Sequence, residues 1–312
     1  MAKPFLTYTQ QLNNLTARKG LIINDAVMAE TALHQVGYFS LIGGYKTPFI
    51  NPMTRIYKPG TSFADILALY EFDKDLRHLV FKYICEIESN IRQLCSYSFC
   101  QKYGENQSTY LSANSYNVTK KTAKHIQKLI QMLDYQANIN TDHKYIVHQR
   151  RTYQNVPLWV VMNTLTFGQL AHFYSFLPSS IQVAVSKDFA NVNERELERY
   201  LDILTLFRNT CAHNERLYNF RINSREFPDK TLHNKLNIPK INNTYTQDKK
   251  DLFGLVIAFR YLLPANSFVA FKKDLSKIIN SYHKKSSAIG QNDLLYIMGF
   301  PANWNNITRY KM

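Results

Sequence analysis

Apolar residues recur at three- and four-residue spacing along most of the chain, a pattern typical of amphipathic helices. The clearest run, through residues 66–91, predicts one long helix over about 62–100, with the hydroxyls of Thr61–Ser62 available for its N-cap. Similar runs predict helices near 119–138, 157–175, 178–190, 193–213, 251–263, 264–285 and 291–298. Strand patterns are sparse, with 22–23 and 55–57 as candidates for a small hairpin. The chain is therefore expected to be all-α.

Residues 221–250 interrupt the helical pattern. Asn, Lys, Pro and Thr dominate there and little periodicity is left, which predicts a polar basic loop or arm across the surface. With 312 residues, 45% of them hydrophobic, the chain can bury a sizeable core as one large domain or two smaller ones.

The charge balance indicates a polyanionic partner. Lys and Arg number 38 against 23 Asp and Glu, and the resulting net charge of +15 attracts polyanions at long range. The alternative is a basic surface kept for solubility. The excess is clustered and tyrosines lie beside the clusters, which suits RNA because unpaired bases stack on aromatic rings. The candidate RNA-binding residues in these clusters are Lys120, Lys121, Lys124, Lys128, Lys144, Arg150, Arg151, Lys272 and Lys273.

Cysteine usage and hydropathy favour a cytoplasmic protein. The four cysteines form no C-x-x-C pair, so neither a zinc knuckle nor a disulfide framework is indicated. The longest apolar runs, such as 254–259, are too short to span a bilayer, and no signal peptide opens the chain. No Asp/Glu cluster suggests a magnesium site and no H-x3-H pair lies beside a carboxylate, so neither a metal nor a small-molecule cofactor is expected.

The strongest chemical signal is the stretch 208–213, RNTCAH, which is followed by NERLYN. Arginine can hold a phosphate through two parallel hydrogen bonds, and histidine transfers protons near neutral pH. RNA supplies its own nucleophile, the 2′-hydroxyl, so an arginine and a histidine are the minimum equipment for cleaving it without a metal. At 100° per residue, Arg208, Asn209 and His213 lie outside the apolar stripe of the predicted helix.

A single copy of this motif is a loose constellation. Helical residues five apart lie about 140° apart and make no i,i+4 contact. No second R-x4-6-H in the chain has a comparable setting. Two interpretations follow. Arg208 and His213 either belong to a site completed by a second copy across a two-fold axis, or complement the dipole at the C-terminal end of the helix.

The segment RNTCAHNERLYN resembles the R-x4-6-H signature of HEPN ribonucleases. Three further segments resemble blocks of the Abi-like (AbiD/AbiF) abortive-infection family: GYFSLIGGYKTPF at 37–49, FADILALYEFDKDLRHLVFKYICEIESNIR at 63–92 and VPLWVVMNTLTFGQL at 156–170. The blocks follow the family's order over about residues 5–220. Asn163 departs from the family pattern, which more often carries a glutamate at that position.

The resemblance implies a HEPN-like helical bundle with catalytic Arg208, Asn209 and His213. Its helical core is expected at 61–220, between an N-terminal extension at 1–60, the loop or arm at 221–250 and a C-terminal helical extension at 251–312. The implied function is a metal-independent endoribonuclease toxin of a bacterial abortive-infection or toxin–antitoxin system, which acts as a homodimer and is restrained by a structured non-coding RNA. Arg216 belongs to the same signature and is expected either to bind RNA or to pin the chain that leaves the helix.

Two other functions stay open at this level. One is a catalytically silent RNA-binding HEPN scaffold. The other is a nucleotide-binding or nucleotide-modifying helical module, which is weakened by the scattered glycines and the lack of a Gly-rich phosphate loop. On the long helix, Asp73 and Arg77 are expected to form an internal salt bridge, whereas Glu86, Glu88 and Arg92 are candidates to approach the motif from a neighbouring helix.

Overall fold

The computed structural model describes residues 4–310, and their regular secondary structure is almost entirely helical, which confirms the expected all-α class. Residues 1–3 and 311–312, at the ends of the two expected extensions, lie outside the described residues. The α-helices are α1 (Tyr8–Lys19), α2 (Ala26–Val36), α3 (Phe63–Tyr103), α4 (Gln107–Tyr110), α5 (Ala123–Asp134), α6 (Lys144–Tyr153), α7 (Leu158–Val161), α8 (Phe167–Phe176), α9 (Ser179–Ser186), α10 (Glu194–Ala212), α11 (Thr231–Lys235), α12 (Leu252–Leu262), α13 (Ala265–Lys285) and α14 (Gln291–Ile297).

Short helical turns and one hairpin complete the described chain. Two turns are π-helical, Phe39–Gly43 and Tyr135–Ile139, and four are 3₁₀-helical, Thr47–Phe49, Ala113–Ser115, Met162–Thr164 and Trp304–Thr308. Strands β1 (Lys240–Ile241) and β2 (Thr244–Tyr245) pair antiparallel, with Lys240 opposite Tyr245.

Helix α3 is the element around which the other helices pack. Its 41 residues extend over about 60 Å. It begins at Ser62, which forms a capping box with Asp65. Phe72 and Tyr83 face α13, where their rings meet Tyr282 and Phe271. The opposite face of α3 receives α10, so one helix supports both the C-terminal extension and the motif helix.

Helices α13 and α10 both run antiparallel to α3. Lys285, at the end of α13, pairs with Glu71 near the start of α3 at 2.8 Å, whereas Ser267, near the start of α13, contacts Glu86 further along α3. Arg208, in the last turns of α10, lies over Phe81. The antiparallel arrangement therefore brings the end of the motif helix to the N-terminal half of α3.

One helix that was expected to be continuous is interrupted in the structure. The pattern over 157–175 predicts one helix, but the structure divides it into α7, a 3₁₀ turn and α8. Leu165 is extended, with ψ 137°, and Thr166 starts a new helix through a capping box with Gln169. The local cap therefore overrides the continuous apolar periodicity. The other predicted helices are found, with ends that differ by a few residues.

The N-terminal region contains two helices that the apolar pattern did not indicate, α1 and α2. The candidate strands near 22–23 and 55–57 do not form a hairpin. Ile22 bridges Ser62 and Tyr57 bridges Ile50, each as an isolated pair. The hairpin lies instead at β1 and β2, where Asn242 and Asn243 both adopt positive φ (49° and 63°), as a type I′ turn requires.

The segment 221–250 was predicted as a loop or arm across the surface, and the structure corrects this in part. It is largely irregular, but it carries α11 and the hairpin, and it inserts apolar side chains into the core. The buried members are Ile222, Phe227, Leu232, Leu236, Ile238 and Tyr245. Sparse apolar residues without helical period gave no sequence signal, because their burial depends on partners distant in the chain.

Asp248 lies at the end of this segment in a fully buried position. Neither of its carboxyl oxygens has a hydrogen-bond partner among the described residues. Burial and the nearby Asp251 carboxylate together raise the pKa of Asp248 to about 9. The folded protein therefore retains a proton on this group at neutral pH, which the unfolded chain releases above an ordinary pKa of 3.8.

This difference predicts a loss of stability as pH rises from 3.8 toward about 9. The contribution of Asp248 is complete below the unfolded pKa, declines between the two pKa values by at most about 1.4 kcal/mol per pH unit, and levels off above the folded one. We expect Asp248→Asn to flatten the dependence of the free energy of unfolding on pH between 7 and 9, measured by urea denaturation. The exposed Asp188→Asn serves as the control. Parallel pH profiles for wild type and Asp248→Asn would contradict this assignment.

Candidate functional site

The motif helix α10 ends in a hydrogen-bonding pattern that is formed by residues of the motif and those directly after it. The Asn214 N–H donates to the Cys211 carbonyl at 3.3 Å, and the Glu215 N–H donates to the Thr210 carbonyl at 3.0 Å. Asn214 adopts the left-handed conformation, with φ 55°. This is a Schellman motif in which asparagine takes the position most often held by glycine. It ends the helix at His213 and leaves that side chain exposed.

The chain that leaves α10 is held by a buried carboxylate on α3. Asp73 accepts hydrogen bonds from four donors: the Leu217 N–H (3.1 Å), the Tyr218 N–H (2.7 Å), the Tyr45 hydroxyl (2.8 Å) and the Arg77 guanidinium (2.7 Å). The expected internal ion pair of Asp73 with Arg77 is confirmed. Burial raises the pKa of Asp73, while Arg77 and the other donors oppose that shift by stabilising the charged form.

Arg216 provides a second attachment for the same stretch. Its guanidinium donates to the Gly44 carbonyl at 2.7 Å. A Cβ on Gly44 would lie 3.5 Å from the Arg216 side chain, so the two segments are closely packed. This contact agrees with the pinning role expected for Arg216. Because the side chain is also exposed, its role in RNA binding stays a prediction.

Arg208 is half-buried against α3. Its guanidinium carbon lies 5.7 Å from the centre of the Phe81 ring, within the range of a cation–π interaction. Its Nε atom is buried and has no hydrogen-bond partner among the described residues. The buried Glu88 lies nearby. Burial raises the pKa of Glu88, and the positive charges of Arg92 and Arg208 oppose the shift. Arg208 thus contacts an aromatic ring and is within electrostatic reach of a buried carboxylate.

Glu88 also connects the motif to the 156–170 block. Its carboxylate pairs with Arg92, whose guanidinium donates to the Leu165 carbonyl at 2.6 Å. Of these two, Glu88 lies within electrostatic reach of Arg208 on the motif helix, whereas the contacts of Arg92 are with Glu88 and Leu165. Glu86, the third candidate, instead contacts Ser267 on α13.

The three candidate catalytic side chains are divided between two environments. Arg208 is directed to α3, whereas Asn209 and His213 are exposed. One chain thus presents the histidine to solvent and holds the arginine at the edge of its core. A complete site with paired groups would need a further contributor at the exposed end of α10.

A cavity of about 560 Å³ lies directly beyond the end of α10. Asn214 and Arg216 line one side, and Phe39 and Tyr70 line the other. The Phe39 side chain is 88% exposed, which leaves its ring available for stacking. Sequence reasoning noted the segment around Phe39 but did not single out this residue, since one exposed aromatic has no periodic signal. Its position beside the motif identifies it.

Seven of the candidate RNA-binding residues from the basic clusters are exposed. Helix α5 buries Ile126, Leu129 and Leu133, which directs the lysines of that region outward. The exposed members are Lys120, Lys121, Lys124, Lys128, Lys144, Arg151 and Lys273.

Arg150 and Lys272 are engaged inside the protein. The Arg150 guanidinium donates to the carbonyls of Gln136, Ala137 and Asn140, which closes the π-helical turn before α6. The Lys272 ammonium donates to the Asn305 carbonyl at 2.5 Å, and burial lowers the pKa of Lys272. We therefore leave both side chains out of the RNA surface proposed below.

Asn163, which departs from the family pattern, is exposed and closes its own turn. Its Nδ2 donates to the Trp159 carbonyl at 3.0 Å and to the Val160 carbonyl at 3.3 Å. The amide thus serves the local turn.

Several general features bear on the chemistry available. Within residues 4–310, no helix combines the length and apolar character needed to cross a membrane. The same residues contain no group of three or more His, Cys, Asp or Glu side chains arranged to hold a metal ion. The four cysteines are free thiols, and burial raises the pKa of Cys211 to about 12 and that of Cys100 to about 11.

Comparison with family models matches residues 31–219 to the family described as Abi-like protein. The match spans more than half of the chain and includes the second half of α2, all of α3 and the motif helix. The chain therefore belongs to the Abi-like protein family, which associates it with abortive infection. No curated protein and no solved structure matched the chain.

The contacts of Asp73 lead to a stability test. We expect Asp73→Ala to lower the free energy of unfolding by about 3–5 kcal/mol, because Arg77 and two backbone N–H groups lose their acceptor inside the core. Denaturant titration followed by circular dichroism measures the change. Asp274→Ala, which breaks the exposed pair with Lys277, should shift it by less than about 0.5 kcal/mol. Equal effects of the two substitutions would exclude a central role for Asp73.

Proposed function

We propose that the protein is a metal-independent endoribonuclease of the HEPN type that acts in abortive infection, with a site assembled from two copies of the chain. The observation that carries the proposal is the arrangement at the end of α10. There the exposed His213 follows Arg208, whose guanidinium lies over the Phe81 ring of α3 and within electrostatic reach of the buried Glu88.

The reaction uses the nucleophile of the substrate. One His213 accepts the proton of a 2′-hydroxyl, whose oxygen attacks the adjacent phosphorus. His213 of the second copy, or a water molecule, protonates the departing 5′-oxygen. Arg208 from each copy binds the non-bridging oxygens and stabilises the charge that develops in the transition state. The products are a 2′,3′-cyclic phosphate and a 5′-hydroxyl.

Two copies would supply a histidine both as proton acceptor and as proton donor, and the reaction uses these two roles together. Each chain offers one exposed His213 and one Arg208. An isologous contact at the ends of the two α10 helices would place both pairs around one cavity. Asn209, exposed beside Arg208, would then orient the phosphate or the histidine.

Glu88 is a positioning residue in this proposal. Its buried carboxylate lies within electrostatic reach of the Arg208 guanidinium and is itself fixed by Arg92. A charge held in this way restricts the orientations of Arg208 before substrate binds, which lowers the cost of ordering it in the transition state.

RNA is proposed both as the substrate and, in structured non-coding form, as the inhibitor of a toxin working in the cytoplasm. The net charge of +15 and the exposed lysines of the α5 region support long-range attraction to RNA. The cavity beside the motif supports local binding, since Arg216 can contact a phosphate and Phe39 can stack on a base.

A catalytically silent RNA-binding scaffold is the second candidate. It is favoured by the separation of Arg208 from the exposed His213 within one chain. The two functions differ in whether RNA is cut when two copies meet.

Replacement of His213 distinguishes them. We expect His213→Ala to reduce the rate of RNA cleavage by a factor of about 10² to 10⁴ and to abolish growth arrest, because general acid–base catalysis is lost. RNA affinity and the unfolding midpoint should be unchanged, since the side chain is exposed. Cleavage is followed on end-labelled RNA, with the exposed His125→Ala as control. Unchanged cleavage or growth arrest would leave the scaffold as the function.

The two-copy site is tested by mixing. Excess His213→Ala protein should lower the activity per wild-type chain, because mixed dimers contain one histidine. Size-exclusion chromatography with light scattering gives the oligomeric state. Activity that is independent of added His213→Ala protein would contradict a shared site.

The exposed lysines on and just before α5 are tested through the salt dependence of RNA binding. We expect Lys120→Gln with Lys124→Gln to lower the slope of log affinity against log salt by about 1.4 to 1.8, if each contacts one phosphate. Fluorescence anisotropy from 50 to 300 mM salt measures it. The control pair, Lys74→Gln with Lys187→Gln, removes two exposed lysines outside the clusters. Identical slopes for the two double variants would remove α5 from the RNA surface.

A further inference from the structure

A larger cavity lies in the N-terminal part of the protein, and no residue of α10 lines it. Its volume is about 1150 Å³, slightly above the roughly 300–1,000 Å³ common for small-molecule sites. Helix α1 forms one wall, the segment 38–50 forms the second, and the loop that carries Arg55 and Tyr57 forms the third. The family resemblance assigned no function to this cavity.

The charge lining this cavity is of one sign. Arg18, Lys19, Lys46 and Arg55 line it, and no Asp or Glu is among its lining residues. Within residues 4–310, none of these four side chains takes part in a salt bridge. Four cations around one concave space repel one another and raise the local concentration of anions. The lining therefore favours an anionic ligand.

Two of the residues that line the cavity also carry buried polar atoms without a hydrogen-bond partner among the described residues. Tyr57 is 5% exposed, and its hydroxyl is buried without a hydrogen-bond partner among the described residues. The Oε1 atom of Gln11, another lining residue, is likewise buried and unpaired. Burial raises the pKa of Tyr57, so the hydroxyl keeps its proton. One donor and one acceptor thus lack partners at the same cavity, which is an unfavourable state for a closed core.

Aromatic surface is available beside the cations. Phe5 is 89% exposed at the cavity, and Tyr38 is half-buried in its wall. We propose that the cavity binds a 5′-phosphorylated nucleotide of one or two residues. Its phosphates would lie against the four cations, and its base against Phe5 and Tyr38. This ligand site does not depend on the nuclease proposed above.

The cavity shares a wall with the site at the motif. Tyr38, Ile42 and Lys46 line the nucleotide cavity, whereas Phe39, Gly43 and Gly44 line the cavity beside His213. The two sets alternate along one helical segment, so they lie on its two faces. The sites are therefore separate but structurally adjacent.

The probe for the test is the dinucleotide pApA, and AMP and inorganic phosphate are the comparison ligands. Each is titrated into full-length His213→Ala protein in a calorimeter. The His213→Ala background prevents cleavage of the probe. We expect pApA to bind more tightly than inorganic phosphate. Lys46→Glu with Arg55→Glu should weaken pApA binding at least tenfold. The matched reversal Lys120→Glu with Lys124→Glu should change it by less than twofold.

Tyr57→Phe supplies a variant that keeps the fold. It removes only the unpaired hydroxyl, so the unfolding midpoint without ligand should not fall, while affinity for pApA should drop threefold or more. Arg208→Ala should leave pApA binding intact, which separates this cavity from the motif.

Three results would overturn the proposal. The first is an absence of pApA binding, and the second is an equal affinity for pApA and inorganic phosphate. The third is that Lys46→Glu with Arg55→Glu weakens the binding of long RNA but leaves the binding of pApA unchanged. The last result would make the cavity part of the RNA surface.

Discussion

The buried carboxylate of Asp73 is the interaction on which the position of the motif depends. A charge in the core is tolerated only when its hydrogen-bonding capacity is filled, and four donors fill it here. The donors come from three separate parts of the chain: α3 itself, the segment that carries Tyr45, and the stretch that follows His213. Withdrawal of any one segment would leave the others with unpaired groups. The exit of the motif helix is thereby fixed to α3.

Two faces of helix α3 make different kinds of contact. The face toward α13 is largely aromatic packing, through Phe72 and Tyr83. The face toward α10 carries Asp73, which holds the chain after the motif, and Glu88, which lies beside Arg208. A rigid helix is a suitable carrier for such groups, because it fixes their spacing before any ligand arrives. The proposed chemistry then needs only the exposed end of α10 and a second copy of it.

The positively charged side chains of the protein occur in two different settings. Around α5 the lysines are exposed, which suits a long polyanion. Around Lys46 and Arg55 the positive charge lines a concave space with aromatic walls and an unpaired hydroxyl, which suits a small one. Net charge alone does not separate these cases, because it says nothing about surface shape. It also does not show that Arg150 and Lys272 donate to carbonyls within the protein.

The sequence by itself determined the helices with strong periodicity, the end of the motif helix and the pairing of Asp73 with Arg77, because each depends on residues close together in the chain. It also sufficed to indicate the family. Tertiary structure alone decided that Glu88 lies beside Arg208, that Phe39 borders the motif, and that the segment around Phe227 packs into the core. These contacts join residues far apart in sequence, and local propensity carries no information about which distant surfaces will meet. The break before α8 shows that periodicity is not sufficient even within one segment. A capping box at Thr166 starts a new helix there although the apolar pattern is continuous.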